Sequence, residues 1–211
     1  MTTLPNTNDI RIPEAAYVNS ADGQSRFPDV CLLLAYSVAT SGHWQGPSVD
    51  TTFLSFLLAP SDPSKWSAEE NCVRYYIVKE VRKNQFFWHF VRDKVRYAPR
   101  NLNAVLWLCE VPTSISEKKI HDYIKRAPVP TEGVLDFWYH TWVISVLESL
   151  PNKLLKKTCL PSGGGKVVYK TGMQFSRGTR LGEQPGVPCC NMSGDRLTLT
   201  FPKEEDDSME E

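Results

Sequence analysis

No apolar stretch of this chain is long enough to cross a bilayer. Its longest apolar runs are about nine residues, whereas a membrane-spanning helix needs about 20. The opening residues, MTTLPNTNDIRIPEAAY, lack the basic start and the apolar run of a secretory signal peptide. These absences predict a cytoplasmic protein that makes no contact with a membrane.

The sequence also lacks the spacing patterns of metal, phosphate and serine-nucleophile sites. Its six cysteines include no CxxC pair and its four histidines show no ligand spacing, so we expect no metal and no cofactor. The run SGGGKV is not a phosphate loop, because Leu160 and Val167 occupy the places of the required glycine and hydroxyl residue. The G-x-S-x-G turn of serine hydrolases is absent as well.

Cysteine chemistry has little support from the residues themselves. Cys31, Cys72 and Cys109 lie in the apolar runs VCLLLAY, NCVRYYIV and LWLCEV. Such positions are typical of buried thiols that behave as small hydrophobic side chains. No cysteine lies at a predicted helix start, where the helix N-terminus would lower its pKa. We therefore expect none of them to be a nucleophile.

The composition is that of an ordinary soluble domain. Of 211 residues, 41% are hydrophobic and 23% are charged. A chain of this length buries roughly 70% of its unfolded surface, so one core is expected to suffice. The predicted divisions are an irregular N-terminal arm at 1–27, a single α+β domain at 28–150, a loop-rich extension at 151–202 and an acidic disordered tail at 203–211.

Five segments in the first half of the chain have the pattern of β-strands. VCLLLAYSV and TTFLSFLLAP are continuous apolar runs, typical of strands that are covered on both faces. CVRYYIVKEV and FFWHFVRDKV alternate and are joined by RKNQ, which favours a hairpin, and VLWLCEV is the fifth strand. Two helices follow. We predict an α+β fold with a mainly antiparallel sheet of about five strands, on which a long buried helix and one shorter helix pack.

The two helices differ in character. Ser114 and Glu117 predict a capping box at the start of the shorter helix. The longer helix, at about 134–150, is apolar almost all round, which predicts a core position. We expect Trp138, Trp142, Val143 and Leu147 to be buried against the strands that contain Leu54, Phe56 and Leu106. After Leu150 we predict only two short strands, GKVVYKTG and DRLTLTF, in a region rich in glycine and proline.

Charge is unevenly distributed although the net charge is zero. From Arg74 to Arg100 eight residues are basic and two are acidic, whereas the segment 203–211 has six acids and one lysine. The aromatic hairpin has a candidate basic surface formed by Lys79, Arg82, Lys83, Arg92, Lys94 and Arg96. Cations beside aromatic rings can bind nucleic acid. The aromatic spacing of RNA-binding sheets is absent, so a nucleic-acid-binding module is only the second alternative function.

Four strings stand out in the middle of the chain: RYYIVKE, WHF, LWLCEVPTSISEKKIHDYIKRAPVP and FWYHTWVISVLESL. They resemble an uncharacterised family of small filamentous-fungal proteins, with strands of the patterns HWALLxGPK and RYHVKN and a helix that begins CRTWVxxALExL. The resemblance covers roughly 50–150. It implies a histidine early on a strand and a cysteine at the start of a buried helix, an order similar to permuted papain-like hydrolases and acyltransferases. It also implies a link to fungal secondary metabolism.

This chain departs from the family pattern at both reactive positions. YHTW replaces CRTW, so Tyr139 occupies the place of the cysteine. DTTFL replaces HWALL, and the only His-Trp pair, which begins at His43, lies earlier in a predicted loop. Tyr139, His140 and His43 therefore form a candidate vestigial site, and we expect no catalytic residue.

The expected function is that of a non-catalytic binding or accessory protein with an unknown protein or small-molecule partner. A papain-like hydrolase or acyltransferase with a rearranged site is the alternative. The binding protein and the enzyme differ in what they require at the start of the long helix. A catalytic protein needs an activated nucleophile beside a base there.

Overall fold

The computed structural model describes residues 30–38, 52–62, 65–66, 72–82, 85–95, 102–129, 139–150, 160–161, 164–179 and 187–197. Within these ranges, three helices pack on a sheet of seven strands, so the fold is α+β. The arm predicted at 1–27 and the acidic tail predicted at 203–211 lie outside the described residues.

One mixed sheet forms the centre of the fold. Its strands are β1 (Val30–Val38), β2 (Thr52–Pro60), β3 (Cys72–Arg82), β4 (Gln85–Val95), β5 (Ala104–Glu110), β6 (Cys189–Cys190) and β7 (Arg196–Leu197). Their spatial order is β4-β3-β2-β1-β5-β6-β7, and all neighbours are antiparallel except β5 and β6. The five predicted strands are confirmed. The short strands β6 and β7 extend the sheet to seven strands. β7 lies within the predicted strand DRLTLTF, whereas β6 was not predicted.

The place of each strand in the sheet explains its sequence pattern. β1 lies between β2 and β5, and its residues from Cys31 to Tyr36 are fully buried, which requires a continuous apolar run. β3 lies near the end of the sheet, and its residues from Val73 to Val78 alternate between buried and half-buried. The alternation follows from the pleat, which directs successive side chains to opposite faces.

Three helices cover one face of the sheet: α1 (Glu117–Lys125), α2 (Tyr139–Ser149) and α3 (Gly164–Arg177). The predicted capping box of Ser114 and Glu117 is wrong. The cap is Ser116, whose hydroxyl accepts a hydrogen bond from the backbone N–H of Lys119 at 3.3 Å. Ser114 lies in the preceding turn, which begins at Pro112, so the helix starts later than expected.

The strand predicted from GKVVYKTG is also wrong, because these residues lie in α3. The predicted loop-rich extension at 151–202 therefore contains a helix as well as β6 and β7. The glycines that flank this segment suggested turns on either side of a strand, and this suggestion was misleading. Gly165 and Gly172 are buried within α3, where the missing side chain permits close packing rather than a turn.

The helix-facing core is built around α2. Trp142, Val143 and Leu147 are fully buried, as predicted, whereas Trp138 lies outside the described residues. The rings of Trp142 and Phe56 meet edge to face with centroids 5.5 Å apart. Leu54 and Leu106 belong to the same cluster of side chains, so the predicted contact between the long helix and the sheet is confirmed.

We expect Trp142→Ala to lower the free energy of unfolding by about 3–5 kcal/mol, because it removes a large core side chain and leaves a cavity. Thr141→Ala is the matched control, since Thr141 is the preceding residue of α2 and is exposed. Urea denaturation measures both. A loss below about 1 kcal/mol for the Trp142 variant would contradict the placement of α2 in the core.

The opposite face of the sheet has an apolar cluster of its own. Cys31, Leu33 and Leu57 are fully buried in it, together with Trp66. The indole N–H of Trp66 donates to the carbonyl oxygen of Pro60 at 2.7 Å, so this buried donor is satisfied. The sheet is therefore the middle layer of the fold, with apolar packing on both sides.

α3 is held close to the sheet at Gly172. A Cβ atom at this position would lie 1.8 Å from the hydroxyl oxygen of Tyr36 and 3.0 Å from a methyl carbon of Leu106. Tyr36 is fully buried, and its hydroxyl has no hydrogen-bond partner among the described residues. The tyrosine therefore fills the space that a side chain at position 172 would need.

Gly172→Ala should destabilise the protein by about 2 kcal/mol, because overpacking costs about 3 kcal/mol and the gain in helix propensity returns only about 1. Gly178→Ala is the control, since its Cβ would make ordinary contacts at 3.5 Å. Thermal and urea denaturation measure the effect. Tyr36→Phe removes the closest atom, so it should recover part of the loss in the double variant. Equal stability of the Gly172 and Gly178 variants would show that α3 does not pack in this way.

Candidate functional site

The β3–β4 hairpin forms one end of the sheet and contains most of the charged residues singled out above. All eleven residues of β3 pair with β4, from Cys72 opposite Val95 to Arg82 opposite Gln85. Only Val73, Arg74 and Tyr75 pair with β2 among the described residues. The outer part of the hairpin therefore extends past its neighbour as a two-stranded ribbon.

The face of the hairpin away from the helices is crossed by one ion pair and by a contact between a histidine and a glutamate. Arg74 donates to both carboxylate oxygens of Asp93, at 3.2 and 2.7 Å, and its guanidinium also lies over the ring of Tyr76. The hydroxyl of Tyr76 donates to Asp93 at 3.3 Å. Nearer the tip, the Nε2 atom of His89 lies 2.9 Å from Glu80. The Arg74–Asp93 pair neutralises charge between the two strands.

The helix-facing side of the hairpin joins β4 to α1. The guanidinium of Arg92 forms an ion pair with Glu117, the first residue of α1. His121 lies one turn further along the helix, and its ring packs against Phe90 and Tyr75 with centroids 5.6 and 5.9 Å apart. An ionisable imidazole thus lies between aromatic rings and an arginine.

Burial is the largest effect on His121, and it lowers the pKa of the imidazole from its ordinary value of 6.5. The positive charges of Arg92 and Lys125 lower this pKa further, while Asp122 and Glu117 act in the opposite direction. The Nδ1 atom is buried and has no hydrogen-bond partner among the described residues. The neutral imidazole is therefore the favoured state at neutral pH.

The lowered pKa predicts that His121 makes the fold sensitive to acid. Below about pH 6.5 the unfolded chain binds a proton that the folded chain resists, so stability falls until the pH reaches the lower folded-state pKa. His121→Gln should flatten this fall, as measured by urea denaturation between about pH 7.5 and 5. His89→Gln is measured alongside, so that the change at His121 is compared with a change at the histidine that contacts Glu80 in the hairpin. Parallel pH profiles of wild type and the His121 variant would contradict the prediction.

The structure describes the side chains of three of the six residues in the predicted basic surface. Arg92 is paired with Glu117, and the Nζ atom of Lys79 lies 6.0 Å from the ring centroid of Trp88. Lys94 is exposed. The side chain of Arg82 and the residues Lys83 and Arg96 lie outside the described part. Of the described members, two thus make contacts within the fold and Lys94 remains available to a partner.

The predicted vestigial site lies at the start of α2. Tyr139 is the first residue of this helix, and His140 is half-buried with its ring 5.7 Å from the ring of Tyr169 in α3. The Tyr139 side chain and His43 lie outside the described residues. The structure therefore brings His140 together with an aromatic residue of α3, and whether His43 approaches Tyr139 stays a hypothesis.

The described thiols lie in apolar surroundings that suppress their reactivity. Burial raises the pKa of Cys72 and Cys189 to about 12 and that of Cys190 to about 11, and it raises the pKa of Cys31 as well. Cys109 is also buried. Only the thiolate is an effective nucleophile, so these positions do not suit nucleophilic catalysis.

Sequence reasoning missed His121. A usable signal is present, because Glu117, His121 and Lys125 recur at every fourth residue and so form one stripe of α1. The spacing does not show which element faces this stripe. The neighbouring Arg92 comes from β4, 25 residues before Glu117, and only the folded structure brings the two together.

No protein-family model, curated protein or solved structure matches the chain. Within the described residues, no group of three or more His, Cys, Asp or Glu side chains could hold a metal ion. In the same part of the chain, no helix has the length and apolar character needed to cross a membrane.

Proposed function

We propose that this chain is a non-catalytic binding or accessory protein of the cytoplasm, with a protein or a small molecule as its partner. The observation that carries the proposal is the state of the thiols, which lie in the core with raised pKa values. A thiol with a pKa of about 12 is ionised to roughly one part in 100,000 at neutral pH. Such a group gives no useful rate of attack.

The start of α2 supports the same conclusion. Tyr139 occupies the place where the resembling family has a cysteine. A free phenol has a pKa of about 10. A helix N-terminus contributes about 0.3–1 kcal/mol, which is less than one pKa unit. Tyr139 is therefore expected to be neutral at physiological pH, and a neutral phenol is a poor nucleophile.

An accessory role is consistent with the resemblance to fungal proteins linked to secondary metabolism. In that role the chain would bind an enzyme or a metabolite without transforming it. The alternative, a hydrolase or acyltransferase with a rearranged site, would require a nucleophile and a base in contact beside an open pocket. A nucleic-acid module would require several free cations on the hairpin, where Arg92 is held by Glu117.

We expect the five described cysteines to resist a thiol-reactive probe in the folded protein and to react in denaturant. Peptide mapping by mass spectrometry assigns the labelled positions, and Cys159→Ser removes the cysteine that lies outside the described residues. A fluorophosphonate probe is likewise expected to leave the folded protein unlabelled. Rapid labelling of Cys31, Cys72, Cys109, Cys189 or Cys190 under native conditions would contradict the proposal.

A direct assay with ester and thioester substrates completes the test. No turnover above the buffer rate is expected, and Tyr139→Phe should behave as wild type. Turnover that Tyr139→Phe abolishes would overturn the proposal in favour of the hydrolase or acyltransferase. A small-molecule ligand that raises the thermal midpoint without being transformed would support a binding function.

A further inference from the structure

The solvent-facing side of α3 is positively charged along its length. Lys166, Lys170, Gln174 and Arg177 are exposed and recur at spacings of four, four and three residues, so they form one stripe. None of the fourteen residues of α3 is acidic. Opposite charges three or four residues apart stabilise a helix. α3 has no such pair among its own residues, because all of its charged residues are basic.

Packing fixes the direction of this stripe. The buried residues of α3 are Gly165, Val168, Gly172 and Ser176. Gly165 contacts α2, where a Cβ would lie 2.9 Å from the carbonyl oxygen of Ile144, and Gly172 contacts Tyr36 of β1. Two close contacts on one side of the helix prevent it from rotating, so the cations must face solvent.

The charges around α3 leave this side positive. Arg196 of β7 is exposed and lies over the ring of Phe175, 5.9 Å from its centroid, which adds a fourth cation near the C-terminal end of the helix. Two acids are nearby. Glu148 lies beside Gly164 at the start of the helix, and Asp195 accepts a hydrogen bond from Asn191 at 2.9 Å.

We propose that the acidic segment 203–211 of this same chain docks on the basic face of α3, defined as Lys166, Lys170, Arg177 and Arg196, and shields it from other polyanions. The segment has six acids and one lysine. No other stretch of the chain is so acidic. Charge complementarity therefore selects this occupant.

The connection between β7 and the segment is short enough for this contact. β7 ends at Leu197, next to the residue that contacts Phe175 of α3. The six residues from there to Lys203 span at most about 20 Å when extended. α3 has fourteen residues, and at about 1.5 Å each it is about 21 Å long. The segment can therefore reach the whole basic face.

Tethering compensates for the weakness of single surface ion pairs. An exposed pair contributes little by itself and is screened by salt. A short linker raises the effective concentration of the segment near α3 to the millimolar range, and several acids share several cations. The contact should therefore form at low salt and be lost at high salt.

Carbodiimide cross-linking of the full chain tests the contact, because this reagent joins a lysine only to a carboxylate that touches it. We expect cross-links from Lys166 and Lys170 to segment 203–211 at low salt. Their yield should fall at least about fivefold in 1 M NaCl, where the Debye length is about 3 Å. Lys118 and Asp122, whose side chains are 2.9 Å apart, give an internal control for the reagent. The exposed Lys94 on the hairpin is the negative control.

Three results would overturn the proposal. They are the absence of these cross-links, equal cross-linking of Lys94, and cross-links found only between copies of the chain carrying different isotope labels. The last result would place the segment of a second copy on α3. Cross-links within one copy, confined to the lysines of α3, support intramolecular docking.

Binding to immobilised heparin, a polyanion, tests the shielding. A variant with the six acids of 203–211 changed to their amides should elute from heparin at higher salt than wild type. Adding Lys166→Gln, Lys170→Gln and Arg177→Gln should remove that gain, and circular dichroism checks that both variants are folded. Lys94→Gln in place of the three changes should leave the gain intact. Unchanged elution of the amide variant, or loss of the gain through Lys94→Gln, would refute the shielding.

Discussion

The burial of β1 on both faces is the constraint on which the other elements depend. β1 pairs with β2 on one side and with β5 on the other, so it has no free edge in the described part of the chain. Tyr36 on one face packs under α3, and Cys31 on the other lies 3.4 Å from a carbonyl oxygen of β2. A polar group introduced on either face between Cys31 and Ala35 would be removed from water, which explains why this part of the strand is apolar.

The glycines of α3 connect this core to the surface. Gly165 brings the helix against α2, and Gly172 brings it against the sheet. These positions are seven residues apart, so both lie on the same side of the helix. Two contacts of this kind fix the rotation of α3 about its axis. The orientation of Lys166 and Lys170 toward solvent is therefore a consequence of how the helix packs.

The elements that could be predicted from the sequence are those whose pattern reflects their surroundings directly. β1, β2 and α2 are buried over long runs, and their apolar character predicted both their type and their contact through Trp142 and Phe56. α3 could not be recognised, because glycine occurs both in turns and in close helix contacts, and sequence spacing does not separate the two. The start of α1 shows a similar ambiguity, since Ser114 and Ser116 are both suitable caps.

The charged residues of the site are harder to interpret from sequence than the core. An arginine in the hairpin looks the same whether it faces solvent or pairs with a distant acid, and Arg92 pairs with Glu117 only because α1 crosses β4. Arg74 and Asp93 likewise neutralise each other across two strands. Two arginines of the hairpin are thus paired with acids, whereas none of the fourteen residues of α3 is acidic. The zero net charge of the chain therefore arises from separated regions, with only cations among the charged residues of α3 and six acids against one lysine in segment 203–211.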